Sequence, residues 1–181
     1  MDAGKWAEGP APVVGVIGAA DADRETAEIA FEVGAAVSDA GWNLVCGGGG
    51  GVMEAACRGF RLARDRNGGR NVAVGVAPSE DRAWANRSLD LVLPTGMGIA
   101  RNALVARAAW ALVAVGGGSG TLSEIALGWQ MGRPIVAMAG SGGWAARLAG
   151  EALDDRRSDR ILPARSAAEA VEILGDLFGE R

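Results

Sequence analysis

The sequence predicts a doubly wound α/β fold, one parallel sheet with helices on both of its faces, and three observations carry that prediction. Short apolar runs rich in Val, Ile and Leu alternate along the chain with stretches of helical period. These runs are apolar almost throughout, as in Val13 to Gly18 (VVGVIG) and Ala111 to Val115 (ALVAV), the pattern of strands buried on both faces. Two glycine-rich segments, Gly47 to Gly51 and Gly116 to Gly120, each follow such a run and lead into a helical pattern.

Val13 to Gly18 reads as the first strand. Arg24 to Ala40 then places Ala30, Val33, Val37 and Ala40 at spacings of three and four, with Asp23 as N-cap and Gly41 as terminator. Asn43 to Cys46 is a second strand, followed by a glycine turn, a helix from Val52 to Asp65 and a closing loop, Arg66 to Gly69. Strands over Asn71 to Ala77 and Leu89 to Leu93 enclose a polar loop. A helix from Ile99 to Ala108 leads into the strand Trp110 to Val115, and the second glycine turn feeds a helix from Thr121 to Met131. Pro134 to Ala139 is the next strand, and Trp144 to Leu153 a short helix. Ser166 to Glu169 has the form of a capping box opening a terminal helix with Val171 and Leu174 inward.

A chain of 181 residues, 49% of them hydrophobic, suffices for one domain with a sizeable core, expected over residues 13–181 after a flexible segment at 1–12. The formal charge of −4 gives no electrostatic reason to expect nucleic-acid binding. Apolar runs fall well short of the ~18 residues of a membrane span, and the first twelve residues have no signal-peptide core, so a cytoplasmic location is expected. Cys46 and Cys57 are too few for a disulfide scaffold or a zinc site and read as buried free thiols.

Absent residues narrow the chemistry further. With no histidine, a Ser-His-Asp triad, a Cys-His pair and a His-based metal centre are excluded within this chain, and no metal site is expected. The only lysine, Lys5, lies near the N-terminus, which argues against a Walker-type loop and an internal Schiff base. Any catalysis falls to Asp, Glu, Arg, Ser, Thr or Cys.

Glycine backbones let amide N–H groups approach an anion closely, and a following helix N-terminus adds partial positive charge. In a doubly wound sheet, ligands sit outside the strand carboxyl ends where strand order reverses. Two glycine turns at strand ends therefore point to one phosphate-bearing ligand held between them. Neither turn matches G-x-G-x-x-G or G-x-x-x-x-G-K-[ST]. Glu124, three residues after Thr121, falls in the first turn of the second loop's helix, where a carboxylate can activate water or stabilise an oxocarbenium-like sugar. Arg101 can pair bidentately with a phosphate. Arg58, Arg61 and Arg64 read as a solvated helix face, and Trp129 and Met131 as core or subunit contact.

Gly116-Gly117-Gly118-Ser119-Gly120-Thr121-Leu122-Ser123-Glu124 resembles the P-G-G-x-G-T-x-x-E signature of the Lonely Guy (LOG/SLOG) superfamily, with Gly116 in place of the proline. The turn ending in Val52-Met53 resembles the upstream G-G-G-x-x-G-x-M element of that superfamily, whose members are often mislabelled lysine decarboxylases. Gly96 to Asn102 and Gly118 to Leu127 look most like the branch that includes molybdenum-cofactor carrier proteins. The resemblance implies a Rossmann-like domain, a homodimer or larger, and a site in which Arg101 and Glu124 are the candidate catalytic pair. Gly18, Gly47, Gly48, Gly49, Gly50, Gly51, Met97, Gly117, Gly118, Ser119, Gly120 and Thr121 are the candidate ligand-binding positions. The superfamily's activating phosphoribohydrolases carry a Met-His-x-Arg-Lys-type helix; here Arg101 is kept fifteen residues before Gly116, the Met-His part is missing, and Asn102 takes the place of the lysine.

Two functions follow. One is a binding or carrier protein for a phosphorylated small molecule, a nucleotide or a molybdopterin-type cofactor, needing no catalytic cofactor. The other is hydrolysis of a nucleoside 5′-monophosphate to free base and ribose 5-phosphate. Arg101 and Glu124 favour the enzyme, Asn102, Gly116 and the missing histidine the carrier, and the balance falls to the carrier.

Overall fold

The structure, a computed structural model, describes residues 10–179. Seven strands form one sheet: β1 (Val13–Gly18), β2 (Asn43–Cys46), β3 (Ala73–Ala77), β4 (Leu91–Pro94), β5 (Ala111–Val115), β6 (Ile135–Met138) and β7 (Leu162–Ala164). Their order is β4-β3-β2-β1-β5-β6-β7 and every neighbouring pair is parallel. The winding reverses between β1 and β5, so the crevice expected of such a sheet opens at their carboxyl ends.

Parallel neighbours require crossovers, supplied here by α-helices except between β3 and β4, where an irregular segment with one 3₁₀ turn makes the connection. Helices α1 (Arg24–Asp39), α2 (Val52–Asn67) and α6 (Ala167–Gly179) cover one face, and α3 (Asn102–Ala108), α4 (Ser119–Gln130) and α5 (Gly143–Leu148) the other. The strands divide their side chains accordingly. Val14, Val16, Leu44, Val113 and Val115 enter the first core, while Ile17, Val45, Leu112 and Ala114 enter the second. Each fully buried Val, Leu or Ile contributes about 1.5–3 kcal/mol, so the doubly covered central strands are the main source of stability. Helices α1 and α2 meet through glycine: a Cβ on Gly34 would collide with the Ala56 carbonyl, and one on Gly59 with that of Phe31.

Local signals act as read in most places. Asp23 caps α1 by accepting from Thr26 N at 2.8 Å. Ser166 Oγ accepts from Glu169 N at 3.2 Å, while Glu169 reaches back to Arg165 N at 2.7 Å, one residue further than in the usual capping box. Arg58 and Arg61 are exposed, and Arg64 pairs with Asp90 at 2.6 Å. Trp129 is core: its indole N–H donates to Asp154 at 2.8 Å and the Arg157 guanidinium lies over its ring.

Several boundaries differ from the sequence reading. Helix α2 runs to Asn67 and stops where Gly68 turns left-handed. Strand β3 begins at Ala73 rather than Asn71, whose amide nitrogen is engaged with Ser38 and Trp42. The expected helix from Ile99 divides into a 3₁₀ turn, Gly98–Arg101, and α3. Helix α5 ends at Leu148, because the chain becomes extended at Ala149 and Gly150 and Ile161 pair with Ile161 and Glu151 through backbone hydrogen bonds of 2.8 and 2.9 Å. Strand β7 was not expected: Pro163 at its centre argues against a strand, but at a sheet edge the missing N–H is tolerated.

The expected flexible segment at 1–12 falls largely on residues 1–9, which lie outside the described residues; Ala11 and Pro12 are tied to Asn43 by hydrogen bonds of 3.4 and 2.8 Å. Among the described residues no helix is long and apolar enough to cross a membrane.

Candidate functional site

The two glycine loops flank the end of β1. Gly47 to Gly51 join β2 to α2, Gly116 to Gly118 join β5 to α4, and β2 and β5 are the two neighbours of β1. The sheet thus brings both loops to the crevice where strand order reverses.

Both loops have their carbonyls drawn away by other parts of the chain. Asn86 Nδ2 donates to the carbonyls of Gly48 and Gly49 at 3.2 and 3.0 Å, and Asn86 N donates to Gly48 O at 2.9 Å. In the second loop, Ala145 N and Trp144 N at the start of α5 donate to the carbonyls of Gly116 and Gly117, each at 3.0 Å. Within a trans peptide the carbonyl and the next residue's N–H point in opposite directions. The N–H groups of Gly49 and Gly50 therefore face away from Asn86, and those of Gly117 and Gly118 face away from α5. Among the described residues none of these four donates to a protein acceptor. The first turn of α4 adds its own unpaired N–H groups, the ordinary deficit of a helix start.

Gly117 can only be glycine: its φ is +94°, and a Cβ would collide with the side chain of Thr121. Gly118 and Gly120 are different. A Cβ at either would meet nothing within 4 Å. The loop therefore keeps an unobstructed surface where the fold does not require one.

Arg101 and Glu124 come together at 3.2 Å. The 3₁₀ turn delivers Arg101 and the second turn of α4 delivers Glu124, which is only 5% exposed; because α4 begins at Ser119 rather than Thr121, Glu124 falls beyond the first turn in which the sequence reading placed it. Burial raises the Glu124 carboxyl to about 7, against the opposing pull of Arg101. The guanidinium also reaches the first loop, since a Cβ on Gly47 would lie 2.5 Å from Arg101 Nη2. It donates to Asn102 Oδ1, while Asn102 Nδ2 donates to Ser123 Oγ at 2.7 Å and Ser123 Oγ to Gly120 O at 2.6 Å. This chain ties Arg101 to the start of α4. Arg101 Nε is buried with no acceptor among the described residues.

Of the other expected positions, Gly18 serves as a spacer, since a Cβ there would run into Val52 and the Val115 carbonyl. Met97 is exposed just before the turn that carries Arg101. Ser119 and Thr121 lie in the first turn of α4, Thr121 buried and Ser119 exposed. Cys46 and Cys57 are free buried thiols with sulfurs 3.7 Å apart; the hydrogen bond from Cys57 lowers the Cys46 thiol and raises its own. Sequence reasoning missed Asn86 and also Ser141, whose Oγ accepts from Gly116 N at 2.7 Å while donating to Met138 O at 2.7 Å. Both lie in loops without periodicity and act on residues far away in sequence.

A protein-family model described as the SLOG cluster4 family matches residues 11–171. An uncharacterized protein of Archaeoglobus fulgidus is 38% identical over 125 residues, which cover 69% of this chain and 78% of that protein. The molybdenum cofactor binding protein of Rippkaea orientalis superposes with a TM-score of 0.80 at 26% identity, covering 93% of this chain and 98% of that one. The molybdenum cofactor carrier protein of Chlamydomonas reinhardtii superposes with a TM-score of 0.76 at 29% identity, covering 92% and 98%. The family match spans both glycine loops, Arg101 and Glu124, and agrees with the resemblance those motifs carry: the chain belongs to the SLOG cluster4 family.

Proposed function

We propose that this protein binds and carries a phosphorylated small molecule, with the pterin-type molybdenum cofactor as the ligand class and its phosphate on the amides of the two glycine loops. The observation that carries this reading is the capture of four loop carbonyls by Asn86 and α5, which leaves the following N–H groups without acceptors among the described residues at the β1/β5 reversal. Arg101 supplies the positive charge that a chain of net charge −4 lacks overall. Likeness to solved proteins described as binding or carrying the molybdenum cofactor supports the pterin among phosphorylated ligands.

A second reading rests on Glu124. A buried carboxyl that titrates near neutrality beside an arginine suits cleavage of an N-glycosidic bond: as carboxylate it takes a proton from water or stabilises the developing oxocarbenium ion. Water would add to the sugar carbon, the bond to the base nitrogen would break, and the base would leave protonated.

One experiment separates the two. Purified protein is denatured and any released ligand identified by mass spectrometry, and ribose 5-phosphate release from AMP is followed for wild type and Glu124→Gln. A carrier yields a phosphorylated pterin and no turnover. Hydrolysis by the wild type that falls at least ~10²-fold in Glu124→Gln would replace the carrier with the hydrolase.

A further inference from the structure

Between β3 and β4 the chain makes a polar excursion over residues 78–90 that contains a 3₁₀ turn, Arg82–Trp84. Trp84 is 44% exposed as a residue, and among the described residues it is the one aromatic residue in the set of large exposed apolar groups. Scattered exposed apolar residues need no explanation. Trp84 differs because it is fastened to the first glycine loop. A Cβ on Gly49 would lie 2.8 Å from Trp84 Cη2, 3.3 Å from Cζ2 and 3.0 Å from Met53 Cε, so the benzenoid edge of the indole and the Met53 methyl rest directly on that glycine. Two residues on, Asn86 secures the same segment to the loop through the carbonyls of Gly48 and Gly49. Any side chain at Gly49 would displace the ring.

The residue whose N–H faces away from Asn86 is therefore the one that supports the indole. Phosphate donors and an aromatic surface adjoin at Gly49. Stacking on an indole is tolerant of ring identity, because every heteroaromatic ring has a π-face.

We propose that Trp84 is the stacking surface for the planar bicyclic heterocycle, pterin or purine, of the ligand whose phosphate the glycine loops hold. This rests on the phosphate-site reading above. Trp84 would thereby set the preference for phosphate esters that carry an aromatic ring over those that do not.

The test uses AMP and neopterin phosphate as ring-bearing probes and ribose 5-phosphate as a probe without a ring, titrated calorimetrically into wild type, Trp84→Phe and Trp84→Ala. Trp84→Ala should weaken a ring-bearing probe about tenfold, within the range measured for lost base–aromatic stacking, and leave ribose 5-phosphate within about twofold. Trp84→Phe should recover most of the loss, and ligand-induced quenching of tryptophan fluorescence seen in wild type should be absent from it. Equal weakening of all probes would assign Trp84 to loop support and overturn the proposal alone, as would no weakening of any. A fall in mass by light scattering without discrimination between probes would make Trp84 a subunit contact. Failure of wild type to bind any probe would overturn the phosphate site and this proposal together.

Discussion

The two ends of the sheet treat their polar groups in opposite ways. At the amino ends of the strands a cavity of 460 Å³ is lined by Ser38, Asp39, Asn43, Asn67, Arg70 and Asn71 among others, and the side chains of Ser38, Asp39, Asn43, Asn67 and Asn71 are engaged in hydrogen bonds. Asn71 Nδ2 donates to the carbonyls of Ser38 and Trp42 at 3.2 and 2.9 Å, Asn43 Oδ1 accepts from Val72 N at 2.9 Å, and Asp39 accepts from Arg66 and Asn67 at 3.0 and 2.6 Å. At the carboxyl ends, the N–H groups of Gly49, Gly50, Gly117 and Gly118 have no acceptor among the described residues, nor has the buried Arg101 Nε, and Glu124 is buried with its carboxyl raised to about 7. Concavity makes the amino end a candidate for a ligand. The phosphate site proposed above lies at the other end, where hydrogen-bonding capacity is unmet, because buried polar groups are ordinarily satisfied and a deficit is what a ligand could supply.

Substituting within one loop breaks this contrast most sharply. Gly120→Val adds a side chain where a Cβ meets nothing within 4 Å, so the fold should survive while the amides of α4's first turn are screened from an anion. Losing one or two charge-assisted hydrogen bonds of about 1.5–3 kcal/mol each predicts at least ~10-fold weaker phosphate-ester binding with an unchanged melting temperature. Gly117→Val should fail differently, by lowering stability, since its left-handed φ and the Thr121 side chain leave a Cβ no place. Calorimetric affinity and circular dichroism on both variants check the pair. Unaltered affinity in Gly120→Val with intact structure would remove the second loop from the site.

The same contrast explains what the sequence could disclose. VVGVIG and ALVAV announce doubly buried strands by composition, and Asp23, the glycine turns and the Arg101 and Glu124 positions are local or motif-borne. Asn86 and Ser141 were not legible, since each acts on a backbone group 38 or 25 residues away and leaves no periodic trace. Strand β7 was hidden by Pro163, which reads as a breaker until the edge position is known. For Gly18, a candidate ligand-binding position, the packing need was not legible: its lack of a side chain accommodates Val52.

A second way to sharpen the contrast is through pH. Glu124 has an ordinary carboxyl value of 4.5 in the unfolded chain and about 7 when folded. Below the lower value both states are protonated and its contribution to stability is fully present. As pH rises the unfolded state loses its proton first, so that contribution declines until pH passes the folded value. The difference amounts to roughly 3 kcal/mol, at about 1.4 kcal/mol per unit. Glu124→Gln cannot ionise, so the stability of wild type relative to this variant should fall by about that amount between about pH 4.5 and about pH 8 in urea denaturation. A difference that stays constant across this range would mean that pairing with Arg101 outweighs burial and that Glu124 is ionised throughout.

The smallest effect is expected at the amino end, and its smallness is the test. Arg66, in the last turn of α2, donates through Nη2 alone to both carboxylate oxygens of Asp39 at 3.0 Å, and the two side chains are 63% and 42% exposed. Water screens such a pair, and exposed ion pairs contribute about 0.2–1 kcal/mol, to which a cation near a helix C-terminus adds a comparable increment. Arg66→Ala should therefore lower stability by no more than about 2 kcal/mol, with most of the loss disappearing in molar salt, where the screening length falls to about 3 Å. Affinity for the phosphorylated probe should not change at all, because the charge removed lies at the opposite end of the sheet from the glycine loops. If Arg66→Ala weakened that binding as Gly120→Val does, the 460 Å³ cavity would be part of the ligand's path, and the division between an end that holds the fold and an end that holds the ligand would fail.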